Sequence, residues 1–228
     1  KSASYPTKPW YYLALMALIA VHLDFIFDTL RSHRWARRAR LVVVLVAALA
    51  SLIPTWRLAR VRQTNVDLVA AKLAQLAGPA DLIVVSPWYN GVSFHRYYHG
   101  PAPWMTVPPI ESHEVHRYDL IKNLMTLPAQ NEPVRPLLEK IRLTLSGGHR
   151  VWLAGTFPMP APGQSIPNLS PAPDPNMGWH DEPYCQMWAA NVAAFLESVA
   201  KRREAVSVEF SGTVNHFENL PLTRFEGW

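Results

Sequence analysis

The sequence has 228 residues, a net charge of +5 with histidines neutral, and one cysteine, Cys185. A lone cysteine excludes an internal disulfide framework, and the positive charge is not laid out as a nucleic-acid face, so neither a disulfide scaffold nor a nucleic-acid partner is expected. The near-zero mean hydropathy of −0.02 averages two unlike parts: residues 10–56 are apolar outside one basic block, whereas 57–228 read as an ordinary globular sequence long enough to bury a core.

In chain order, the first apolar run covers 10–30 and begins with the interfacial cluster Trp10-Tyr11-Tyr12. The second covers 41–56; it is somewhat short, and snorkelling of Arg40 and Arg57 extends it. Both are expected to cross a membrane. The run Leu41-Val-Val-Val-Leu-Val-Ala-Ala-Leu-Ala50 has no polar face, which argues against a buried hairpin in a soluble protein. Arg31, Arg34, Arg37, Arg38 and Arg40 lie between the runs and direct that loop to the cytoplasm, leaving both flanking parts outside. Arg57, Arg60 and Arg62 reduce the asymmetry without reversing it. Asp28 is expected at headgroup level, paired with Arg31 or Arg34. His22 and Asp24 lie deeper and are expected to pack against further helices. Those helices, and an opening residue Lys1 without a leader-like layout, lead us to expect a piece of a longer protein.

From residue 63 to 228 an extracytoplasmic α/β domain is expected, after a transmembrane hairpin over 1–62. Asn65 should cap a helix that ends at Gly78-Pro79. The run Asp81-Leu-Ile-Val-Val-Ser86 has the continuous apolar character of a strand buried on both faces. A second strand is expected at 104–107, helices at 118–125 and 134–145, a third strand at 149–155, a long helix at 184–202 and a last strand at 205–211. Strands alternating with helices predict a Rossmann-like, three-layer domain with a mainly parallel sheet. The chain after the first strand, Ser86-Pro-Trp-Tyr-Asn-Gly91, has no glycine-rich phosphate turn, and neither a P-loop nor a nucleophile elbow is present. No nucleotide cofactor is therefore expected.

The unusual stretch is 87–119, which follows the carboxyl end of the first strand, where open α/β sheets hold ligands. It is rich in aromatic rings, histidines and arginines. Trp88, Tyr89, Asn90, Arg96, Tyr97, His116 and Arg117 are the candidate binding residues, because aromatic faces suit sugars and arginine forks suit phosphate. Packing against the sheet or the membrane interface explains the aromatics equally well. His95 and His99 have the spacing of a helical metal pair that His113, His116 or Glu114 would complete, but the spacing is loose and no metal is expected.

The patches Arg62-Gln-Thr-Asn-Val-Asp67, Asp81-Leu-Ile-Val-Val-Ser-Pro-Trp-Tyr-Asn-Gly91, Ser93-Phe-His-Arg-Tyr-Tyr98, Val107-Pro-Pro109 and His116-Arg-Tyr-Asp119 resemble the C-terminal region of bacterial membrane glycosyltransferases of the GT-C class. The similarity is to the dolichyl-phosphate-mannose-protein mannosyltransferase-like group, and Pro6-Thr-Lys-Pro-Trp-Tyr-Tyr12 looks like the same proteins. The resemblance implies a multi-pass plasma-membrane protein, a polyprenyl-phosphate sugar as donor, membrane lipid around the spans and preceding helices of the same protein as partners. The family's catalytic acid sits in an early outer loop that this chain lacks, so no catalytic residue is carried over. The second hypothesis is a membrane-anchored binding or scaffold module without chemistry.

Overall fold

A computed structural model describes residues 13–29, 34–128, 131–159, 165–210, 212–215 and 218–228. Its contacts divide the chain into two units, 1–60 and 61–228.

The first unit contains two helices, α1 (Leu13–Thr29) and α2 (Arg34–Ala59). The expected span 41–56 is the interior of α2, a 26-residue helix with Pro54 inside it. Among the described residues, one helix is long and apolar enough to cross a membrane: Arg38–Arg57, 20 residues of mean hydropathy 2.0, with none of it buried. Of the two expected spans, 10–30 and 41–56, the second alone lies in such a helix. The apolar part of α1, Ala14–Ile26, is shorter, and residues 10–12 and 30 of the first expected span lie outside the described residues. Asp24 on α1 pairs with Arg40 on α2 rather than awaiting another helix. Arg31, the partner first considered for Asp28, lies outside the described residues.

The second unit is a mixed α/β domain. The long apolar runs become strands because burial on both faces satisfies every side chain of an extended segment. β1 (Leu82–Ser86) and β3 (Val151–Gly155) are buried at every position. Their side chains alternate between two cores, as the two-residue period of a strand requires. Leu82, Val84, Val151 and Leu153 enter one core with α5 (Tyr118–Met125), α6 (Arg135–Ser146) and α7 (Glu182–Val199). Ile83, Val85, Trp152 and Ala154 enter the other with α3 (Val66–Leu76) and α4 (Asn90–Tyr97). The sheet is thus covered on both sides.

The strand order is β2-β1-β3-β5-β4, with β2 at Trp104–Thr106, β4 at Arg202–Val206 and β5 at Leu222–Glu226. β2, β1 and β3 are parallel, whereas β5 runs antiparallel to both β3 and β4. The sheet is therefore mixed, and β5 was not anticipated. Its sequence, Leu-Thr-Arg-Phe-Glu, carries no alternating apolar stripe, and its pairing partners supply the strand character. The strand expected at 205–211 starts earlier, because α7 ends at Val199 and Ala200 is already extended. Asn65 does precede α3, but its side chain does not cap it. Its amide instead clamps Leu220, accepting from Leu220 N at 2.8 Å and donating to Leu220 O at 3.0 Å. The Thr64 hydroxyl takes the Val66 N–H at 3.1 Å.

Candidate functional site

The parallel strands end together at Ser86, Thr106 and Gly155. β2 and β3 lie on opposite flanks of β1, and the connections diverge: α4 follows β1 on one face, whereas α7 follows β3 on the other. Such a switch point opens a crevice beyond the carboxyl ends of the strands. Its floor needs glycine. Gly155 has φ +124°, and a Cβ there would lie 1.7 Å from the Ser86 carbonyl oxygen.

The chain leaving β1 turns at once into α4, with Asn90 N and Gly91 N donating to Pro87 O at 3.1 Å and Trp88 O at 2.9 Å. This turn buries Trp88 and Asn90, each only 4% exposed, and leaves Tyr89 43% exposed. His116 reaches back to it. Its Nε2 is 3.1 Å from Tyr89 O, and its ring meets Trp88 edge-on at 6.0 Å. Tyr89 also packs edge-on against Trp88 at 6.1 Å. Burial raises the Tyr89 phenol pKa, and Cys185, Glu182 and Asp181 at the start of α7 raise it further. Trp88 lies close enough to Cys185 to ease its ionisation, yet burial still pushes the thiol up to about 12, so it is inert as a thiolate.

A second aromatic group sits beside the first. His113 stacks obliquely on Trp104 at 4.5 Å, and its Nδ1 would be 2.6 Å from any Cβ at Gly91. Burial and the neighbouring His95 lower its pKa to about 4, so it is neutral at pH 7. Asn90 Nδ2 and His113 Nδ1 are buried without a hydrogen-bond partner, whereas Trp88 Nε1 faces the Cys185 thiol. Buried polar atoms are rarely left this way, each costing about 1–3 kcal/mol unless a partner reaches it. Two of them at one edge, beside the Trp88 indole, suit an incoming polar group.

The structure therefore brings together Trp88, Tyr89, Asn90 and His116 of the expected residues. Arg96 and Tyr97 lie exposed on α4 without a described contact to that group. Arg117 precedes α5, and its fork is closed on Asp119 through Nε–Oδ1 at 2.9 Å and Nη2–Oδ2 at 2.7 Å. That pairing holds Arg117 above, and Asp119 below, its ordinary pKa. Arg117 thus has a partner of its own, contrary to the expectation of a free phosphate fork. The helical metal pair is also corrected. α4 ends at Tyr97 and Tyr98 is extended (φ −87°, ψ 118°), so His95 and His99 share no helical face. Among the described residues no group of three His, Cys, Asp or Glu side chains is placed to hold a metal ion.

Comparison with family models, with curated proteins and with solved structures finds no match to this chain. The site is therefore interpreted from its own chemistry. His113, Trp104 and Cys185 are its additional members, together with the glycines Gly91 and Gly155. His113 and Trp104 were visible as part of the aromatic stretch, whereas nothing local marks Cys185, which arrives from α7. The assembly offers aromatic faces, the unsatisfied Asn90 amide and a neutral imidazole. These are means of binding a hydroxyl-rich or oxyanion-bearing ligand.

Proposed function

We propose that this chain is the carboxyl-terminal part of a membrane glycosyltransferase that uses a polyprenyl-phosphate sugar. In this proposal α1 and α2 are spans of a multi-pass plasma-membrane protein. The Rossmann-like domain lies on the extracytoplasmic side and helps to hold acceptor or donor at the carboxyl edge of its sheet. The observation that carries the proposal is the cluster of unpartnered buried polar atoms among aromatic rings at that edge, in a chain that also bears a wholly unburied apolar helix. Sugar rings stack on aromatic faces, and their hydroxyls accept from such N–H donors. The sequence resemblance supplies the donor class, and the arginines at the start of α2, Arg34, Arg37, Arg38 and Arg40, support the orientation.

The test uses the whole gene product containing this sequence, in membranes, with a radiolabelled polyprenyl-phosphate sugar. Tyr89→Ala changes an exposed side chain of the group, so melting temperature should hold while transfer falls about tenfold, the effect of losing one good contact to ligand; Arg96→Ala, exposed outside the group, should change transfer little. Arg117→Ala, whose fork is already filled by Asp119, should change transfer least. Full transfer in Tyr89→Ala, or transfer lost only in step with melting temperature, would remove the site. A protein that binds the sugar lipid but transfers nothing would instead be a membrane-anchored binding module.

A further inference from the structure

A cleft of about 750 Å³ opens at the opposite edge of the sheet, between the turns that enter β1, β3 and β4 and the end of β5. That is within the size of small-molecule sites, roughly 300–1,000 Å³. The reversed β5 creates its chemistry: it delivers Glu226 and Gly227 to an edge where the other strands begin. Arg150, Lys201, Arg202 and the imidazole of His149 share the cleft with two carboxylates, Asp81 and Glu226.

Those charges do not cancel evenly. Asp81 is fully engaged, accepting from Gly78 N at 2.9 Å, Arg150 N at 2.9 Å, Trp152 Nε1 at 3.2 Å and Arg150 Nη2 at 2.8 Å. Glu226 takes Arg202 at 2.9 Å and faces Arg224 Nε at 3.5 Å. Arg150 is held rigidly. Its Nη2 also donates to Leu76 O at 3.0 Å, and its guanidinium carbon lies 5.3 Å from the Trp152 ring centre. Its Nε and Nη1 make no hydrogen bond among the described residues. Lys201 and His149 are exposed and likewise have no described partner. The cleft is thus left with a surplus ammonium, an open guanidinium edge and an imidazole, positioned by a buried carboxylate.

We propose that this cleft is a binding site for a small phosphate-bearing ligand, with Lys201, His149 and the open edge of Arg150 as its donors. A fixed guanidinium beside a mobile ammonium suits the several acceptor oxygens of a phosphate or diphosphate group. The site is distinct from the carboxyl-edge site and does not depend on the glycosyltransferase proposal.

The experiment titrates inorganic diphosphate into the purified chain in zwitterionic detergent at low salt, by calorimetry. We expect saturable binding that weakens as salt rises. Lys201→Ala and His149→Ala should each weaken it about tenfold, the loss of one charged hydrogen bond, with unchanged melting temperature. Lys201→Arg should retain it. Repeating the titration in nanodiscs with and without phosphatidic acid identifies the source: competition by the lipid assigns a headgroup, and its absence assigns a soluble phosphate ester. No binding by the parent chain, or equal binding by both alanine variants, overturns the proposal.

Discussion

Replacing Trp152 with alanine probes the join between the sheet and the α3–α4 core. Its side chain is 1% exposed on β3, has the Arg150 and Arg224 guanidinium carbons 5.3 and 5.9 Å from its ring centre, and donates Nε1–H to Asp81. Truncating a buried tryptophan costs about 3–5 kcal/mol in lost transfer energy and residual cavity. The lost hydrogen bond adds less, because Asp81 keeps its bonds from Gly78 and Arg150. A total of about 4 kcal/mol lowers the melting temperature of a domain this size by about 8–16 °C. Trp152→Phe keeps most of the apolar contact and loses the Asp81 bond, so about 1–2 kcal/mol is expected. The assay is urea unfolding of the chain in mild detergent, followed by near-ultraviolet circular dichroism, which reports the packed aromatics of residues 61–228. An alanine variant within about 0.5 kcal/mol of the parent would refute the burial, and equal losses in the two variants would refute the separation of packing from hydrogen bonding.

Asp81 provides a pH signature. Burial raises its carboxyl pKa, but the bonds from Arg150, Gly78 and Trp152 outweigh this and hold it below the ordinary carboxylate range. A depressed folded pKa stabilises above the unfolded value of about 3.9 and ceases to do so as pH falls through the folded value. Asp81→Asn should therefore cost about 2–3 kcal/mol at pH 7 and flatten the loss of stability below about pH 4; a parallel acid profile would count against it. Gly155→Ala should destabilise by about 3–5 kcal/mol, through strain at positive φ and collision with Ser86 O, and a loss under about 1 kcal/mol in the same urea assay would contradict the close approach. With Cys185 replaced, cysteine at Ser170 should react with an impermeant reagent in intact cells and cysteine at Ser32 should not. The reverse pattern would invert the proposed topology.

Much of this fold was legible in the residues themselves. The apolar runs at 41–56 and 81–86 were legible as a helix without a polar face and a strand buried on both faces, and they form the interior of α2 and β1. The helices at 118–125 and 134–145 were also legible, the second closed by Gly147-Gly148. The candidate site was legible as a crowd of aromatics after β1, but not as an arrangement. Tertiary packing decided that Trp88 and Asn90 turn inward while Arg96 stays outside, and it closed Arg117 on Asp119. It also decided what Asn65 does: its amide serves the distant backbone of Leu220, 155 residues away, rather than its own helix. β5 is the clearest case. Its five residues carry little strand signal, and only pairing with β3 and β4 makes them a strand. That pairing draws the end of the chain across the sheet and builds the amino-edge cleft, because hydrogen bonds between segments far apart in sequence leave no local trace in either one.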